Sequence, residues 1–145
     1  MSVTFSNADK KHSIKNASVV KSFIDTIFHT EELYEPKLNY IFCSDEYLLN
    51  INKQFLNHDY YTDIITFDLS NDHEDFVRGE IYVSLDRVED NAKQFNVETE
   101  QELLRVLFHG ALHLCGYKDK TKSEIKEMRY KEDHYLRLYN ESITE

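Results

Sequence analysis

The chain has 145 residues, 41% of them apolar and 30% charged, the balance of a soluble folded protein rather than a disordered one. A formal net charge of −10 argues against a protein that coats nucleic acid by bulk electrostatics, since such proteins are basic. It leaves room for an enzyme with a local basic patch and a bound cation. No apolar run approaches the roughly 20 residues of a bilayer span, and Met1-Ser2-Val3-Thr4-Phe5 is not followed by a signal-peptide core, so neither membrane insertion nor export is expected. No repeat, low-complexity segment or linker divides residues 1–145, so a single domain is expected. Cys43 and Cys115 make no disulfide framework. They read as small buried residues of a reducing cytoplasm.

In chain order, a short strand is expected at 3–5. Residues 13–29 place Ile14, Ala17, Val20, Ile24 and Ile27 at helical spacing, with Ser13 as N-cap. Residues 38–44 read as a strand. Ser44 then caps a helix to about Leu56, with Tyr47, Leu48, Ile51 and Phe55 toward the core. The β-branched run 62–70 and the segment 79–84 are predicted strands, close enough for a hairpin across the acidic loop 71–78. A helix is expected over 85–95. Thr99-Glu100-Gln101-Glu102 forms a capping box for the next helix, which stops at Gly116, and Thr121-Lys122-Ser123-Glu124 forms another for a last helix to about Tyr139. The fold class is therefore α+β: a small mixed sheet of about four strands packed with about five helices.

The chemistry concentrates in His109-Gly110-Ala111-Leu112-His113-Leu114-Cys115-Gly116-Tyr117-Lys118-Asp119. Histidines four apart on a helix project from one face, one turn from each other, and suit a single metal ion. Gly116 ends the helix in a left-handed turn that brings the chain back, so Asp119 can supply a third ligand. Three protein ligands leave an open position for water, the mark of a catalytic rather than a structural site. Leu103, Leu104, Val106, Leu107, Leu112 and Leu114 bury this helix, and buried imidazoles need partners. Zinc is the first choice for imidazole and carboxylate donors, with nickel, copper, manganese or iron able to take the same atoms.

The spacing is that of the metzincin proteases, but Gly110 stands where their general base, a Glu, should be, and Met128 lies in a charged helical stretch. The two-His-one-carboxylate set of non-haem iron oxygenases is disfavoured because its ligands lie on a β-barrel. From Lys118 to Lys131, six basic residues accompany three acidic ones, a pattern that reads as a solvated helix face.

The same stretch resembles the signature of the YbeY family of bacterial endoribonucleases and rRNA maturation factors, H-G-x-L-H-L-x-G-Y-D-H. Seven of its nine fixed positions match: His109, Gly110, Leu112, His113, Leu114, Gly116 and Tyr117. Asp59 to Phe67 is similar to the family's D-x-x-T-D-V-L-S-F, and Gly79 to Ser84 to its G-D-I-x-I-S. Two departures stand out. Asp119 replaces the third His, with Lys118 where an Asp is expected, and Leu56 occupies the position of an Arg that many members carry.

The resemblance implies a metal-dependent endoribonuclease acting on single-stranded RNA. Its implied role is in rRNA maturation (processing of the 16S rRNA 3′ end) and ribosome quality control, with the small ribosomal subunit or its proteins as partners. No carboxylate is placed by sequence as an obvious base. Glu80 is a candidate to support the metal ligands from behind, though exposure or a structural role suits it better, and Tyr117 reads as a packing residue. Thr62 to Phe67 is expected to form a core strand, with a wall of the RNA cleft as its other possible role. Two other readings stand beside this one: a non-enzymatic assembly factor in which the metal staples the Gly116 turn, and a metallohydrolase on another substrate.

Overall fold

Alternating apolar residues build the sheet. In β2 (Glu35–Cys43) Leu38, Tyr40 and Phe42 are buried on one face, and in β4 (Phe76–Ser84) Val77, Ile81 and Val83 join them. Side chains of opposite parity, Cys43 of β2 and Tyr82 of β4, meet a second cluster on the other face. β1 (Val3–Asn7) runs parallel to β2, and β2 parallel to β4. β3 (Ile64–Asp68) closes the far edge as the antiparallel partner of β4, giving the order β1-β2-β4-β3. The computed structural model describes residues 2–144; Met1 and Glu145, the ends of the expected 1–145 unit, lie outside them. Among the described residues there are five helices and four strands, the expected α+β mixed sheet.

The main core lies between one face of the sheet and helices α1 (Ala17–Thr30), α4 (Thr99–Leu114) and α5 (Lys122–Ile143). Val20, Ile24, Ile27 and Phe28 form the buried stripe of α1. Each such side chain contributes about 1.5–3 kcal/mol through removal from water. The buried Tyr40 hydroxyl donates to the Leu107 carbonyl at 2.7 Å, so its burial leaves no unpaired donor. α2 (Asp45–Leu56) covers the opposite face through Leu48 and Ile51. α3 (Leu85–Phe95) starts on Ser84, whose hydroxyl accepts from the Arg87 N–H.

Several boundaries differ from the sequence reading. α1 begins at Ala17, not after Ser13, because Asn16 takes a left-handed conformation (φ 58°) that the helix cannot include. Tyr47 and Phe55 of α2 stay 38% and 63% exposed, although their spacing had pointed them to the core. The second cluster is too small to cover more than the Leu48–Asn52 stripe. The Thr99 capping box does not form, since Glu98 holds the N-cap position without a side-chain bond and Thr99 is already helical. The second box does form: Thr121 Oγ accepts from the Glu124 N–H at 3.1 Å and Glu124 Oε1 from the Thr121 N–H at 3.0 Å. Cys43 is buried as expected, whereas Cys115 is only partly so. Met128 sits 2% exposed in the core.

Gly110 sets the distance between α4 and the sheet. A Cβ there would lie 2.9 Å from Ile64 Cδ1 and 3.0 Å from Ile81 Cγ2, tighter than side chains tolerate without displacement. That close approach brings the His109–His113 end of α4 against β3.

Candidate metal centre

α4 ends in a Schellman turn. The Gly116 N–H bonds the His113 carbonyl at 3.0 Å, and the Tyr117 N–H bonds the Leu112 carbonyl at 3.1 Å. Gly116 itself has φ +110°, a conformation that L side chains resist. The reversal carries residues 117–119 back past the helix end. It places Asp119 Oδ2 3.3 Å from His109 Nε2 and 3.2 Å from His113 Nε2. The two imidazoles stand edge to face, their centroids 4.5 Å apart.

His109, His113 and Asp119 are thus brought together as the sequence reading required, with one donor atom from each within 4.8 Å of the others. The donor set fits a small divalent ion. Donors about 2.0 Å from a tetrahedral ion stand about 3.3 Å from one another, close to the two carboxylate-to-imidazole separations here.

The Nδ1 atoms have other partners. His109 Nδ1 lies 2.6 Å from Glu132 Oε2 of α5, and His113 Nδ1 lies 3.0 Å from the Tyr117 carbonyl. An imidazole that donates its Nδ1–H in this way is held in the tautomer whose Nε2 lone pair is free for a metal. Glu132 is buried and shares its other oxygen with Arg105 Nη1 at 3.2 Å. Burial alone would lower the His109 pKa; the hydrogen bond and charge of Glu132 outweigh it and raise the pKa above its ordinary value.

A second carboxylate braces the turn. Glu31, just past the end of α1, accepts from the Tyr117 hydroxyl at 2.7 Å, from Lys131 Nζ at 3.1 Å and from the Tyr135 hydroxyl. Burial pushes its carboxyl up, but these three donors prevail and hold it below the usual range. Tyr117, expected to be a packing residue, packs against the core and also carries the carbonyl that orients His113.

The three residues open onto a cleft of about 630 Å³ whose other wall is the β3 segment with Thr62, Asp63 and Thr66. That segment is therefore both sheet strand and cleft wall. Asp63 is half-buried between β3 and α3, within 3.3 Å of Asn91 Nδ2, and burial pushes its carboxyl up. Leu56, His58, Tyr60 and Lys120 complete the rim. Glu80 lies elsewhere. Its neighbour Gly79 faces Leu114 of α4, and Glu80 lines a separate cavity with Tyr47, Phe55 and Tyr82 on the α2 side of the sheet. Besides Asp119, the carboxylate that reaches His109 is Glu132. No local spacing pointed to it, because 23 residues separate it from His109.

A helix-borne histidine pair, a carboxylate on the following turn and an open cleft over the edge strand of an α+β sheet together have the form of a metallohydrolase centre. The family model described as endoribonuclease YbeY matches residues 4–140. Similar curated proteins include the endoribonuclease YbeY of Flavobacterium johnsoniae, 47% identical over 92% of this chain and 95% of that one. That of Cytophaga hutchinsonii is 48% identical over 94% of each. A solution structure of a Thermotoga maritima protein superposes with a TM-score of 0.63 at 31% identity, covering 94% of this chain and 88% of that one. The chain belongs to the endoribonuclease YbeY family, whose members cut RNA at internal phosphodiester bonds.

Proposed function

We propose that the chain hydrolyses single-stranded RNA in rRNA maturation, at the 16S rRNA 3′ end, and in ribosome quality control. It would do so with one divalent ion, zinc, held by His109, His113 and Asp119. The observation that carries the metal site is the convergence of His109 Nε2 and His113 Nε2 on Asp119 Oδ2 while both Nδ1 atoms are engaged elsewhere. Two nitrogens and one oxygen suit zinc and leave a position open. When bound, the ion supplies Lewis acidity toward a phosphoryl oxygen and toward water.

The chain's own residues do the rest. Glu132 keeps the His109 proton on Nδ1 and the Tyr117 carbonyl keeps that of His113 on Nδ1, so that neither ring turns away. Asp119 brings a negative charge where the family signature has a neutral His, which makes the bound ion a milder acid. Lys120, on the cleft rim, meets an RNA phosphate. The small ribosomal subunit supplies the substrate, and free Cys43 and Cys115 suit a cytoplasmic location.

Metal analysis of the purified protein beside Asp119→Ala tests the ligand set. One equivalent of zinc is expected in the wild type and substoichiometric metal in the variant, with RNA cleavage lost in proportion. Full metal content in Asp119→Ala would remove Asp119 from the set.

A further inference from the structure

In the same cleft, the segment after α2 forms an aromatic ledge. Asn57 ends the helix in a left-handed conformation (φ 55°), and the His58 N–H returns to the Asn52 carbonyl at 3.1 Å. The Asn52 side chain, 2% exposed, donates from Nδ2 to the Tyr60 carbonyl at 2.9 Å. One buried residue, Asn52, therefore holds both ends of the tripeptide 58–60, through its backbone carbonyl at His58 and its side-chain amide at Tyr60. The His58 and Tyr60 rings stack on each other, centroids 5.1 Å apart and planes 22° from parallel, and the Tyr60 hydroxyl lies 2.9 Å from His58 Nδ1. Both residues are exposed, Tyr60 at 56%, and both line the cleft that holds His109, His113 and Asp119.

A pre-stacked pair of flat rings, fixed to the backbone but open to solvent beside a phosphodiester-cutting centre, has no role in the core. We infer that His58 and Tyr60 form a nucleobase subsite, on which one unpaired base of the RNA stacks while its phosphate is presented to the metal centre. Aromatic platforms of this kind accept any base by its π-face, and only an unstacked base can reach them. The ledge thereby selects single strands over duplex in a protein whose net charge of −10 gives little help from bulk electrostatics. Its two rings are ordered before binding, so little side-chain entropy is lost when the base arrives. This inference rests on the proposed RNA cleavage and adds the part of the substrate that is gripped.

The test uses the metal-loaded chain, a single-stranded oligoribonucleotide that it cuts, and a set of the same oligonucleotide with one abasic residue walked along it. The wild type is expected to show a rise in KM of about tenfold or more at one abasic position near the cut. Tyr60→Ala raises KM by a similar factor with the intact substrate, while kcat moves much less, and the abasic penalty at that position disappears. Tyr60→Phe retains the ring and most of the wild-type KM. An unchanged melting temperature in Tyr60→Ala separates lost stacking from lost fold. Wild-type-like KM in Tyr60→Ala, or an abasic penalty that persists in it, overturns the subsite and leaves the cleavage reading intact. A wild-type chain that cuts no RNA overturns both.

Discussion

His109 depends on a residue that does not belong to its own helix. Glu132 is 7% exposed at its side chain, accepts from His109 Nδ1 and is itself held by Arg105. Glu132→Gln removes the charge that stabilises the Nδ1–H and leaves Arg105 with the exposed Asp133 at 2.7 Å as its carboxylate partner. Metal affinity is expected to fall 10- to 100-fold, as measured by competition with a chromophoric chelator, with the helical circular dichroism unchanged. Affinity equal to wild type would mean that Glu132 does no more than pair with Arg105. The grouping of His109, His113 and Asp119 was legible in the sequence because helix periodicity and a glycine stop are local rules, and together they place the three residues in one small volume. Glu132 was not, and Glu80, for which exposure or a structural role had been the favoured reading, lies away from the site. Only the packing of α5 on α4 decides which carboxylate arrives, and strand parity turns Glu80 to the other face of the sheet.

At the scale of elements, Glu31 ties the end of α1 to the turn after α4 and to α5 through Tyr117, Lys131 and Tyr135. Its carboxyl is held below the ordinary 4.5 by those donors against the opposing effect of burial. A depressed carboxyl contributes stability that is fully present above pH 4.5 and is lost as the pH falls through the lower folded value. Glu31→Gln should therefore cost about 1–3 kcal/mol at neutral pH and show a flatter loss of melting temperature below pH 4.5 than the wild type. Parallel acid limbs for the two proteins would contradict this. Element types were legible throughout, since strand alternation and helical spacing survive in the fold. Boundaries and faces were less so. Nothing local shows that Asn16 turns left-handed, that Thr99 falls one residue inside its helix, or that the cluster under α2 is too small to cover Phe55.

Across the whole molecule, a mixed sheet with α4 pressed onto it through Gly110 presents one end of that helix to an open cleft. The Schellman turn returns Asp119 to the histidines, Glu31 past the end of α1 braces the turn through Tyr117, Glu132 of α5 holds His109, and β3 supplies the facing wall. The overall negative charge fits this arrangement, because affinity for RNA is expected from a cation in the site, Lys120 and a stacking ledge rather than from a basic surface. The fold class was legible in the periodicity of the whole chain, and the family in three short runs, Asp59 to Phe67, Gly79 to Ser84 and His109 to Asp119, each read without tertiary contacts. The braces and the ledge emerge only from tertiary geometry. The most direct measurement is the cleavage of a single-stranded rRNA fragment by the protein stripped with chelator, by the same protein reloaded with one equivalent of zinc, and by His113→Ala. Cleavage should vanish on stripping, return on reloading and be absent from the variant while its fold persists. Stripped protein that cuts RNA as fast as reloaded protein would contradict the metal centre.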